Sequence, residues 1–93
     1  MFNEFAEVEK YIELLINFTG RRITHKEFHM KYLEIFTNEK YFFEDEKKFD
    51  ILNELFYDVE EYTPLVDLRE EGDIDDVGLL ESAKVALSKL KEI

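Results

Sequence analysis

Apolar positions along the chain recur mostly at helical spacing. From about Asn3 to Thr19, Phe5, Val8, Ile12, Leu15 and Phe18 or Thr19 return every three or four residues, which predicts an amphipathic helix. Asn3 suits its N-cap, Glu4 and Glu7 suit its positive end, and Gly20 reads as the stop. A second helix is announced by Thr24 and Glu27, the two partners of a capping box. Its stripe is Phe28, Tyr32, Ile35 and Phe36, and Asn38 is a suitable left-handed stop. A third runs from about Asp45 to Tyr62 with Phe49, Leu52, Leu55, Phe56, Val59 and Tyr62 on one side; Pro64 enforces its end. A fourth begins near Asp75 as N-cap, with Ile74 and Leu79 in the positions of a hydrophobic staple. Val77, Leu80, Ala83, Leu87 and Leu90 form its stripe, and Lys84, Lys89 and Lys91 gather toward its negative end.

The connectors are short. Residues 39–44 carry Tyr41, Phe42 and Phe43 in succession, read as a lid on one end of the core, with an exposed aromatic patch as the other reading. In 63–75, Thr63 and Pro64 suit one helical turn that Gly72 would end, and the rest reads as loop. No segment alternates as a strand does. Four amphipathic helices with short links predict an all-α, antiparallel four-helix bundle, a single helical domain over residues 1–93.

Composition narrows the chemistry. The chain has no Cys, so disulfides, thiolate nucleophiles and Cys-ligated metals are excluded. MFNEFAEVEK has neither a basic n-region nor an apolar core, so it is not read as a signal peptide, and no apolar run is long enough to span a membrane. A cytoplasmic location is expected. No Gly-rich phosphate cradle, nucleophile elbow or Ser/His/Asp arrangement is present, so no enzymatic activity and no cofactor are expected. His25 and His29 stand one turn apart without an evident third ligand and read as surface histidines. Asp73, Asp75 and Asp76 lack the spacing of a calcium loop and read as capping residues, so no metal site is expected.

Charge changes the picture most. The net charge is -11, and residues 49–76 alone carry eleven acids against Arg69, or -10. Such a chain repels nucleic acid and anionic membrane, and its natural partner is a basic protein surface. At ~100° per residue, Leu52, Leu55, Phe56 and Val59 fall on one side of the third helix. Asp50, Glu54, Asp58 and Glu61 fall in a narrow sector opposite. Like charges at i, i+4 and i+8 each cost a few tenths of a kcal/mol, so a helix under no other demand would intersperse Lys. Tyr57 falls at the edge of this sector, either as an interface anchor or lying against a neighbouring helix. A merely solvated acidic face is the bland alternative to a binding surface.

Residues 51–87 also carry a resemblance. Leu55-Phe56-Tyr57-Asp58, Tyr62 followed by Pro64, Leu68-Arg69, Glu71-Gly72-Asp73-Ile74-Asp75 and Leu80 resemble the colicin D-type immunity family of bacterial self-protection proteins. Relatives in that family occur beside contact-dependent growth inhibition toxins. The N-terminal half matches only in length and helical character. The resemblance implies a four-helix bundle that binds the nuclease domain of a cognate bacteriocin-like toxin, for the colicin D type one that cleaves transfer RNA. It implies that acidic side chains replace RNA phosphates in the toxin's basic active site. Carried onto this chain, the partner-binding residues are Glu54, Tyr57, Asp58, Glu61, Asp67, Glu70, Glu71 and Asp73. Tyr62, Pro64, Ile74 and Asp75 are read as architectural: core contact, helix stop, staple and cap. An acidic adaptor, or a nucleic-acid mimic that inhibits another basic protein, would use the same surface.

Overall fold

The computed structural model describes residues 8–40, 42–63 and 74–92. They form four helices, α1 (Val8–Thr19), α2 (His25–Glu39), α3 (Glu46–Glu61) and α4 (Asp76–Lys91). Among the described residues there is no strand, only one isolated bridge between Tyr62 and Ile74. The proposed start of the first helix at Asn3, the residues of the turn from Pro64 to Gly72, and Tyr41 lie outside the described residues.

Each helix is antiparallel to the one before it, as the ring contacts and hydrogen bonds show. Phe18 near the end of α1 stacks on Phe28 in the first half of α2 at 4.2 Å. Tyr11 near the start of α1 donates to Glu39 at the end of α2 at 2.7 Å. Phe36 late in α2 meets Phe49 early in α3 at 6.0 Å, while His25 at the start of α2 faces Tyr62 just past the end of α3. Tyr62 in turn donates from its hydroxyl to Asp76 Oδ1, at 2.5 Å, in the first turn of α4. α4 then returns between α3 and α1, and all four helices close around one core.

That core is aromatic. The Phe36 ring meets Tyr11, Tyr32, Phe43, Phe49 and Phe56 at centroid separations of 4.8–6.3 Å. Edge and tilted contacts prevail, the geometry ring quadrupoles favour. Tyr32 is fully buried, and its hydroxyl donates to the Leu52 carbonyl at 2.7 Å, so α2 and α3 are fixed in register by a bond made inside the core. Burial, then the neighbouring Tyr11, pushes its phenol pKa up. Phe43 packs against the core as a lid does, whereas Phe42 is exposed.

The helix boundaries are set by local chemistry. Thr24 and Glu27 form the expected capping box, each side chain accepting from the other's backbone N–H. Asp45 caps α3 and Asp75 caps α4, the latter accepting from Gly78 N at 2.7 Å. Three expectations shift. α1 ends in a Schellman motif whose left-handed residue is Arg21, φ 62°, and not Gly20. Gly20 is required there for a different reason: a Cβ would lie 2.9 Å from the Ile16 carbonyl oxygen. Asn38 does not stop α2, because its side chain donates back to the Glu34 carbonyl and the helix runs on to Glu39. On α4 the buried set is Leu79, Ala83, Ala86, Leu87 and Leu90, while Val77 faces solvent at 68% exposure. Ala83, Leu87 and Leu90 of the expected stripe are buried and Leu80 packs against the core, but Val77 stands almost opposite the buried Leu79 on the helix and so faces out.

Candidate functional site

The expected site divides in two. Asp67, Glu70, Glu71 and Asp73 lie outside the described residues. Glu54, Tyr57, Asp58 and Glu61 lie on α3, and so does Asp50. Leu52, Leu55, Phe56 and Val59 turn inward and are buried. That fixes the rotation of the helix, so Asp50, Glu54 and Glu61 are exposed and Asp58 is half-buried. The acids form one outward strip because the apolar residues between them anchor the other side.

Tyr57 is 59% exposed beside this strip. Its ring meets that of its chain neighbour Phe56 at 6.3 Å. An aromatic body with an outward hydroxyl, flanked by carboxylates, presents both apolar area and hydrogen-bonding capacity to a partner.

The strip is only lightly neutralised. Lys89 of α4 reaches Glu54 Oε2 at 3.5 Å, with both side chains largely exposed. Such a solvated pair is weak and readily exchanged. On α4, Lys84 stands 4.0 Å from Glu81, also in solvent. Glu54, Asp58 and Glu81 border a groove between α3 and α4 that sequence periodicity did not reveal, since it depends on how the two helices face each other.

The histidines are not simple surface residues. His25 and His29 are half-buried, and both rings pack against Tyr62, at 6.5 and 5.4 Å. His29 Nδ1 is buried without a hydrogen-bond partner, and desolvation lowers the pKa of the ring. The reason is tertiary: α3 lays Tyr62 across the turn of α2 that carries them. Among the described residues no group of three or more His, Asp or Glu could hold a metal ion.

With that geometry in place, the comparison with known proteins is informative. Residues 6–90 match the family described as bacterial self-protective colicin-like immunity. The chain belongs to this family. No curated protein and no solved structure matches it. Membership supports a role in bacteriocin immunity, and the family match extends well beyond the segment 51–87, taking in all four helices. No helix among the described residues is long and apolar enough to cross a membrane.

Proposed function

We propose that this immunity protein neutralises a toxin nuclease, of the kind that cleaves transfer RNA, by covering its basic active site with the acidic face of α3. The observation that carries the reading is the outward strip of Asp50, Glu54, Asp58 and Glu61 on a helix of a colicin-like immunity protein. A nuclease must line its substrate cleft with Lys, Arg or His to hold phosphates. Carboxylates on a rigid helix occupy those subsites, and RNA is excluded by occlusion. Glu54, Asp58 and Glu61 supply the charge and Tyr57 the anchor, and Asp67, Glu70, Glu71 and Asp73 add further negative charge to the chain after α3. Opposite charge accelerates the encounter, and misplaced charges exclude non-cognate toxins. A toxin of the contact-dependent growth inhibition type is the natural partner in this reading, met in the cytoplasm without cofactor or catalysis by this chain.

The test is to purify the protein with the toxin domain encoded beside it, then measure binding and RNA cleavage. A stable complex and suppressed cleavage are expected; undiminished cleavage with no complex would sink the reading. Asp58→Lys combined with Glu61→Lys should keep the helical circular dichroism and abolish protection. Full protection by that variant would place the interface elsewhere.

A further inference from the structure

The groove between α3 and α4 gives the acidic face a specific shape. Its floor is apolar: Ile51 and Leu55 from α3, Val85 and Ala86 from α4. Its volume is about 250 Å³. Leu55 and Ala86 are buried at the base, and Val85 is 51% exposed on one wall. The opening exists because α4 presents Ser82 and Ala86 where larger side chains would fill the space. Three carboxylates border it, Glu54 and Asp58 from α3 and Glu81 from α4.

A flat acidic surface attracts any cation. An apolar floor under an acidic rim is more selective, because it rewards a cation carried on a hydrocarbon stem. Lysine and arginine side chains have that build: the stem lies along apolar surface while the charged head stays at the polar rim. The chain itself supplies a weak version of this arrangement. Lys89 lines the groove and brings its ammonium to 3.5 Å from Glu54, remaining largely exposed there.

We infer that the α3–α4 groove is the socket for one long cationic side chain, lysine or arginine, at the centre of the partner protein's interface. This rests on the reading of the protein as an inhibitor of a basic toxin. It adds α4 to the interface, with Glu81 and Val85 as contact residues and Lys89 as an internal placeholder that the partner's cation displaces from Glu54. A buried cationic anchor ringed by carboxylates is the kind of contact that dominates an interface.

The experiment is calorimetric titration of the full chain with its toxin domain. Val85→Arg, which fills the groove, and Glu81→Lys, which reverses one rim charge, should each weaken binding by about 30-fold or more, the range of an interface hot spot. Glu92→Lys, the same reversal outside the groove, should change it by only a few-fold. Lys89→Met should tighten binding more than Lys91→Met, although both remove one positive charge. Circular dichroism confirms that each variant is folded. Groove variants that bind like wild type would overturn the socket while leaving the inhibitor reading intact. If wild type does not bind the toxin, the inhibitor reading fails, and the socket is decided with n-butylguanidinium. Saturable shifts of the Leu55 and Ala86 methyl resonances, absent in Val85→Arg, support it, and their absence from wild type removes it.

Discussion

The two ends of α2 and the outer face of α3 use the same residue type in opposite ways. Where α1 meets α2, carboxylates are tied down. Glu39 accepts from the buried Tyr11 hydroxyl and pairs with Lys10, and Glu27 closes the capping box. Burial, and then the hydrogen bond and charge of Glu39, push the Tyr11 phenol pKa well up, so it remains a donor. On α3, Asp50, Glu54 and Glu61 are exposed, and Glu54 holds Lys89 only through a long, solvated pair. Acid in the first region is structural: removing Glu39 strands the buried Tyr11 hydroxyl, and removing Glu27 opens the capping box. Acid on α3 is stacked against its own kind, which stabilises nothing in the isolated protein. A feature that is mildly unfavourable for folding fits the partner-binding role proposed for this face.

That contrast can be broken at its strong end first. Phe36→Ala removes the ring on which five others converge and should destabilise the fold by about 3–5 kcal/mol. For a domain of this size each kcal/mol lowers the Tm by about 4–8 °C, so thermal unfolding reads the effect directly. Glu39→Ala takes the acceptor away from the buried Tyr11 hydroxyl and should cost about 1–3 kcal/mol in urea unfolding. It should leave toxin binding unchanged, and a large loss of affinity would erase the distinction between the two regions.

A gentler effect should come with acid. His29 binds a proton more weakly in the folded protein than in the unfolded chain, because its ring is desolvated against Tyr62. The unfolded state therefore gains protons first, and this contribution, fully present above pH 6.5, declines as the pH falls below it. His29→Phe should flatten that part of the stability profile; an unchanged acid slope would rule out His29 as its source. Smallest of all, Asp50→Asn removes one like-charge neighbour of Glu54 and should stabilise the protein by about 0.2–0.5 kcal/mol with protection retained. Glu54→Gln should stabilise by a similar amount and weaken toxin binding. If both variants protect equally well, the strip is merely solvated.

Much of this was legible in the sequence. Hydrophobic spacing located all four helices, and the Thr24–Glu27 box, the Asp75 cap and the inward set Leu52, Leu55, Phe56 and Val59 needed no tertiary information. Their causes are local: a hydroxyl or carboxylate within three residues of an orphan amide, or a 3.6-residue repeat. The concentration of acid on the outer face of α3 followed from the same repeat.

Only the tertiary structure decided what depends on how helices face one another. Tyr11 became a fully buried donor to Glu39, Asp76 an acceptor for Tyr62 as well as part of the first turn of α4, and His25 and His29 ring partners of Tyr62. The groove lined by Ile51 and Val85 exists only because α3 and α4 lie side by side. Periodicity fixes which side of a helix is apolar. Which neighbour that side meets, and what space the two leave between them, is set by packing across residues distant in the chain.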